Sequence, residues 1–276
     1  MFWVLLLAIG ISLFVLFYLS SVVRYYCKIT FFYITIFLHG ILCHILMIPS
    51  FIRQDGADVI FHSFRYWCLW TGIEVEVRGF DEHLKNIKGP AVVICNHQSA
   101  VDVVAMTHVW PPRGVVMMKS SLKYIPFFNT CSLMANCIFI NRFNRQQAMS
   151  TVDQCVEKLT EKNLKLWIFP EGTRNPEGGL LSFKKGAFNI AVKAQIPIIP
   201  IVTSNYKSFY SKKDKYFLGD GEIIAEVLPP IDTKGKTEED VLELAEVIRK
   251  DMLAVNLRIS EEATKRIESK RAKKMA

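Results

Sequence analysis

The chain opens on an unbroken apolar run. Residues 1–23, MFWVLLLAIGISLFVLFYLSSVV, carry no charged side chain. A helix rising 1.5 Å per residue covers a hydrocarbon core of about 30 Å with a run of this length. A cleaved signal peptide has a positive n-region, a shorter apolar core and a small-x-small exit. The positive n-region is missing and the run is too long, so the segment reads as a retained anchor. Arg24 and Lys28 then mark a short polar break. Ile29 to Ile48 is apolar again, interrupted only by His39, Gly40 and His44, and Pro49 ends it. The two runs read as an apolar helical hairpin in or on the bilayer, spanning 1–52. His39 and His44 fit either a functional role or hydrogen bonding across the hairpin.

From Arg53 the pattern becomes a mixed one. Residues 73–77 (IEVEV) alternate strictly, as a half-buried strand does. Residues 91–95 (AVVIC) are continuously apolar, as in a strand covered on both faces. Residues 114–118, 137–140, 164–169 and 196–202 look similar. Between them, 145–162 and 183–194 carry apolar residues at helical spacing. Strands alternating with helices predict an α/β domain over 53–260, built on a mostly parallel central sheet flanked by helices. After 223–228 a Pro229–Pro230 break precedes a helix starting near Thr237, where Thr-x-x-Asp resembles a cap. Residues 261–276 are rich in Lys and Arg and predict a solvated basic helix or tail. No internal repeat is present.

Composition sharpens this. Of 276 residues, 51% are hydrophobic and 22% charged, and the mean hydropathy is +0.22. That balance excludes disorder and fits an apolar segment joined to a folded domain. The 34 basic and 26 acidic residues leave a net charge of +8, which favours an anionic partner. The seven cysteines show no C-x-x-C pair and no zinc spacing. They read as reduced thiols packed as small hydrophobes, and no metal site is expected.

Four strand ends carry candidate chemistry. The segment Asn96-His97-Gln98-Ser99-Ala100-Val101-Asp102 follows the buried strand AVVIC, at the edge where open α/β sheets place ligands. In a continuous helix His97 and Asp102 would point about 140° apart. With His97 ahead of the helix and Asp102 inside it, the carboxylate reaches an imidazole nitrogen and leaves the other as a general base. Phe169-Pro170-Glu171-Gly172-Thr173-Arg174 follows a second buried strand. It fits either a structural Glu–Arg pair or an anion site using the Arg fork. Arg142 (in FINR) and Lys119 end two further strands. Each charge alone reads as solvated; their convergence on one rim suggests a base beside an anion pocket.

The blocks NHQSAVD, FINR, FPEGTR and IPIIPIV, in that order, resemble the four motif blocks of the glycerolipid acyltransferases. The runs FPEGTRN, FKKGAF and AVKAQIPIIPIV look like those of the 1-acyl-sn-glycerol-3-phosphate (lysophosphatidate) acyltransferases. The resemblance covers about residues 65–230 and the apolar N-terminus. It implies acyl transfer from acyl-CoA, a co-substrate, to the sn-2 hydroxyl of lysophosphatidate, with no cofactor. It implies His97 as base with Asp102 orienting it. Arg142, Glu171, Gly172, Thr173 and Arg174 would hold the phosphate and glycerol, with Lys119 carried by position. Pro197, Ile198 and Pro200 would shape the acyl-CoA side.

Other classes fit less of the sequence. A membrane-shaping hairpin protein would leave the His97 and FPEGTR blocks unused. Nucleic-acid binding lacks a recognition motif and is not expected. Residues 205–217 interleave Lys with aromatics, as a solvated loop or a contact for anionic lipid or CoA phosphates. Lys273-Lys274-Met275-Ala276 resembles a dilysine retrieval signal, implying an endoplasmic reticulum membrane protein with a cytosolic catalytic domain. Arg24 and Lys28 would place the hairpin turn on that same side.

Overall fold

The computed structural model describes residues 1–50, 55–124, 128–140 and 145–275. Two helices form from the apolar runs, α1 (Phe2–Leu19) and α2 (Ser21–Leu46). They are separate because Ser20 is extended, at φ −116° and ψ 119°. Its hydroxyl accepts the Val23 N–H at 3.4 Å, serving a backbone donor that the start of α2 leaves unpaired. Both helices are long and apolar enough to cross a membrane.

The two helices meet different surroundings. Among the described side chains of α1 none is buried. In contrast, α2 buries Tyr25, Ile29, Phe32, Thr35, His39 and Cys43 along one face. Phe32 packs on Phe64 of α3 (Gly56–Trp67), ring centroids 6.5 Å apart. The opposite face leaves Ile34, Phe37, Leu38, Ile41 and Ile45 exposed. An all-apolar helix with one side on the domain keeps a second apolar side for lipid. The second apolar run is therefore also a wall of the folded domain, and the break between the helices falls at Ser20, ahead of the expected polar break, so Arg24 and Lys28 lie inside α2.

A seven-stranded sheet forms the centre. Its strands are β1 (Glu74–Arg78), β2 (Ala91–Cys95), β3 (Gly114–Lys119), β4 (Ile138–Ile140), β5 (Lys165–Ile168), β6 (Ile198–Thr203) and β9 (Glu222–Val227). Their order is β1-β9-β6-β2-β5-β3-β4. Every pairing is parallel except β6 with β9. Strands β2 to β6 thus share one C-terminal edge. A small antiparallel hairpin, β7 (Tyr210–Ser211) and β8 (Tyr216–Phe217), stands apart.

Successive residues of a strand point to opposite faces, and both faces are covered. Val92, Ile94 and Leu166 pack with α6 (Arg145–Glu161), α7 (Gly186–Ala194) and α8 (Val241–Met275). Ala91, Val93 and Trp167 pack with α3, α4 (Asp102–Val109) and α5 (Phe128–Met134). This double cover explains the unbroken apolar runs of the central strands.

Residues 261–275 are helical, one of the two forms expected, but one side of the helix is packed rather than solvated. They are the last part of α8, where Ala263 and Ile267 are fully buried. The strict alternation of β1 places Glu74 and Glu76 on one face, and that face meets the basic helix. Arg78 makes a bidentate pair with Glu262 at 2.7 and 2.9 Å. Arg266 reaches Glu222 at 2.9 Å and also pairs with Glu76. Lys270 pairs with Glu74 at 2.6 Å and Arg271 with Asp220 at 2.6 Å. Solvation was the expectation because the acids lie in sequence far from the bases they neutralise. Ile267→Ala is expected to cost about 2–5 kcal/mol of stability. Chemical denaturation in detergent measures this, and an unchanged midpoint would restore the solvated tail.

Candidate active site

The loops leaving β2 and β5 build the site at the shared edge. His97 follows β2 by two residues, and Asp102 is the first residue of α4. The chain turns between them, so the helical divergence never arises. Nδ1 of His97 lies 2.6 Å from Oδ2 of Asp102. The same carboxylate accepts the Gln98 N–H at 2.9 Å and the Ser99 N–H at 3.2 Å. An ionised carboxylate only accepts, so Nδ1 carries the proton and Nε2 keeps a lone pair. Asp102 is 6% exposed and His97 20%, so the pair is sheltered while the imidazole edge stays open. The ring stacks on Phe169 of the next loop, centroids 4.0 Å apart and planes 18° apart.

Glu171 is 2% exposed. One carboxylate oxygen accepts the His97 N–H at 2.8 Å and the other accepts the Leu181 N–H at 2.9 Å. Burial raises its carboxyl above the usual range, against the pull of those two donors. Buried with an N–H from each side on its two oxygens, Glu171 ties the two site loops together. Asn175 N–H adds a bond to the His97 carbonyl at 2.7 Å. On the other side, Asn96 exchanges bonds of 2.8 and 3.0 Å with the backbone of Thr203 in β6. Gln98 donates to the Ser204 carbonyl at 2.9 Å.

A cavity of about 750 Å³ opens beside His97. Its walls are apolar: Tyr33, Ile36 and Cys43 of α2, Ile60, Phe61 and Phe64 of α3, Met106 of α4, and Val116 and Met118 of β3. Lys119, Gly172, Thr173 and Arg174 line the same cavity, and Lys119, Thr173 and Arg174 are exposed. Arg142 lies outside the described residues. His39 lines the cavity too, with Nε2 2.8 Å from the Ser63 hydroxyl, tying α2 to α3.

Pro197, Ile198 and Pro200 are not at the cavity. They sit at and near the N-terminal end of β6, level with Val92 to Ile94. Ile198 exchanges backbone hydrogen bonds with Ile231 at 2.9 and 2.8 Å. His97 lies three residues beyond Ile94 and five beyond Val92, on the order of 10–16 Å along the strand direction. The fourth block therefore builds the sheet, and the apolar wall comes from α2 to α5. Periodicity could not separate those wall positions from ordinary core.

Lys184 was also missed. Its backbone N–H donates to the Pro170 carbonyl at 2.8 Å. Its Nζ lies 3.0 Å from where a Cβ on Gly172 would stand. Gly172 itself has φ +69°, in the left-handed region that favours glycine. The lysine pair in FKKGAF, close behind the EGTR loop, was the available signal. Among the described residues no group of three or more His, Cys, Asp or Glu side chains is arranged to hold a metal ion.

The His97–Asp102 pair beside an apolar cavity, with Lys119 and Arg174 among the lining residues, can accept a proton next to a bound anion. The acyltransferase family model matches residues 74–204. The chain is 51% identical over 271 residues to acl-2 of Caenorhabditis elegans, covering 98% of this chain and 95% of that protein, whose name assigns it as a 1-acyl-sn-glycerol-3-phosphate acyltransferase. It is 34% identical over 270 residues to human 1-acyl-sn-glycerol-3-phosphate acyltransferase beta, covering 94% and 92%. In fold it is similar to the lysophosphatidate acyltransferase PlsC of Thermotoga maritima, with a TM-score of 0.66 at 23% identity, over 92% of this chain and 98% of that one. The chain is a member of the 1-acyl-sn-glycerol-3-phosphate acyltransferase family.

His97→Ala is expected to lower turnover by about 10²–10⁴-fold while the protein stays folded. Single-turnover acyl transfer together with circular dichroism checks this; activity above a tenth of wild type would exclude His97 as the base. Glu171→Gln should act through the clamp. The amide sets an NH₂ against one of the two backbone donors, leaving it unpaired at a cost of about 1–3 kcal/mol. Thermal denaturation should show the loss together with reduced turnover.

Proposed function

We propose that this enzyme transfers an acyl group from acyl-CoA to the sn-2 hydroxyl of lysophosphatidate, giving phosphatidate and free CoA. The observation that carries this is the His97–Asp102 pair, with Nε2 free beside an apolar cavity and Arg174 at its rim. His97 Nε2 takes the hydroxyl proton as the oxygen attacks the thioester carbonyl. Asp102 stabilises the imidazolium so formed. The tetrahedral intermediate collapses, the C–S bond breaks, and the imidazolium returns the proton to the CoA sulfur. No acyl-enzyme forms. An acyl chain occupies the cavity between α2, α3 and the sheet edge, and the acceptor phosphate meets Arg174, Lys184 and Lys119.

The reaction is one step of phospholipid and triacylglycerol synthesis. The apolar helices hold the site at a membrane. This reading places the protein in the endoplasmic reticulum membrane with the catalytic domain on the cytosolic side. Product analysis with purified protein, oleoyl-CoA and a set of lyso-acceptors tests the assignment; acylation of another headgroup in preference to lysophosphatidate would overturn it.

Arg174→Ala and Lys184→Met should each reduce kcat/KM for lysophosphatidate. Loss of a charged hydrogen-bond partner costs roughly 1.5–3 kcal/mol, or about one to two orders of magnitude. An acceptor lacking the phosphate should be affected much less. Equal losses on both acceptors would assign these cations a structural role.

A further inference from the structure

The β7–β8 hairpin does not line the cavity beside His97, and its two sides differ in chemistry. Its inner side is aromatic and buried: Tyr210 is 6% and Phe217 3% exposed. These rings pack on α2, with Tyr25 and Tyr210 centroids 6.2 Å apart and Phe32 and Phe217 6.3 Å apart. Its outer tip carries Lys212 and Lys213, both exposed. The tip is held rigidly. The Ser211 hydroxyl donates to the Asp214 carboxylate at 2.7 Å and accepts the Asp214 N–H at 3.0 Å.

Cations from the hairpin and from α2 converge at this place. Lys215 stands 5.5 Å from the Tyr25 ring centroid and 5.6 Å from that of Tyr26. Lys28 of α2 stands 5.8 Å from the Phe217 ring. Arg24 donates to the Tyr18 carbonyl at the end of α1, at 2.6 Å. Of the nearby acids, Asp214 is turned into its own turn and Asp220 is held by Arg271 at 2.6 and 2.9 Å. The result is a basic band lying against the exposed apolar surface of α1 and the start of α2, where Tyr18, Val22 and Tyr26 face outward.

We propose that this band docks on the anionic phospholipid headgroups of the bilayer that receives α1. Apolar surface directly against a band of cations matches a membrane interface, where hydrocarbon and phosphate lie within a few ångströms of each other. A nucleic acid or a free CoA would meet the cations and leave the adjoining apolar surface bare. The rings beneath Lys28 and Lys215 hold those ammonium groups in place by cation–π attraction. The band sits at the junction of the two apolar helices, so it fixes which part of the domain faces the headgroup plane. The proposal rests on the placement of α1 and is independent of the acceptor assigned above.

The test uses the full chain, as wild type, Lys212→Gln/Lys213→Gln and Lys212→Glu/Lys213→Glu. These exposed side chains lie outside the catalytic machinery, and unchanged thermal denaturation establishes that each variant folds. Partition from nonionic micelles into vesicles is measured by flotation, on phosphatidylcholine alone and on phosphatidylcholine mixed with phosphatidylserine. Wild type should gain from the anionic lipid. The Gln variant should lose up to roughly 30-fold of that gain, and the Glu variant more. High salt should erase the difference, and all three should partition alike on neutral vesicles. An anionic gain that is equal in all three proteins would overturn the proposal. So would a rise in KM for acyl-CoA in neutral micelles without any change in partition, because the lysines would then serve CoA phosphates.

Discussion

The site depends on β2 lying between β5 and β6 with all three strands pointing the same way. That parallel register delivers the residues after Cys95, Ile168 and Thr203 to one edge. Side-chain bonds then lock what the strands deliver. Asn96 and Gln98 fasten the β2 loop to Thr203 and Ser204, and Glu171 fastens it to the β5 loop. The imidazole is therefore fixed from its backbone N–H, its carbonyl, its Nδ1 and its ring face, while Nε2 faces the cavity. A general base held in this way meets the acceptor with little reorganisation.

Much of this was legible in the residues. Continuous apolar runs at 91–95 and 164–169 gave buried strands, and the break between His97 and Asp102 gave a carboxylate able to turn back. Both follow from local rules of period and reach. Two other features were hidden because their causes lie far apart in the chain. Glu171 shows its part as a clamp only when its two backbone donors, at His97 and Leu181, are brought beside it. The basic stretch after 260 reads as solvated until Glu74, Glu76, Glu222 and Asp220 are set against it by the β1–β9 pairing. Pro197, Ile198 and Pro200 belong to a recognisable block, yet a motif does not say at which end of its strand the chemistry stands. The wall residues of α3 and α4 carry the same helical spacing as any core face, so nothing in sequence separates lining from packing.

The electrostatics follow a division of labour. The buried carboxyl of Glu171 is tied to two backbone N–H groups inside the site. Along α8, Glu262, Arg266 and Lys270 form a half-exposed network with Arg78, Glu74 and Glu76 of β1 and Glu222 of β9. Individual surface pairs of this kind contribute little, but several sharing the same carboxylates hold a long helix in register. Cations at the cavity rim are left to the solvent side, where a substrate can reach them.

The two faces of α2 have a mechanical consequence. Tyr25, Phe32, His39 and Cys43 join the helix to the catalytic domain, while Ile34, Phe37, Ile41 and Ile45 on the other side are bare hydrocarbon. The same rod is thus both the floor of the enzyme and its keel. Because α2 itself packs on the domain, a bilayer receiving its outer face would stand at a distance from His97 set by that packing. A bilayer that thickens or thins cannot raise or lower the site alone; it must tilt the whole catalytic body with it.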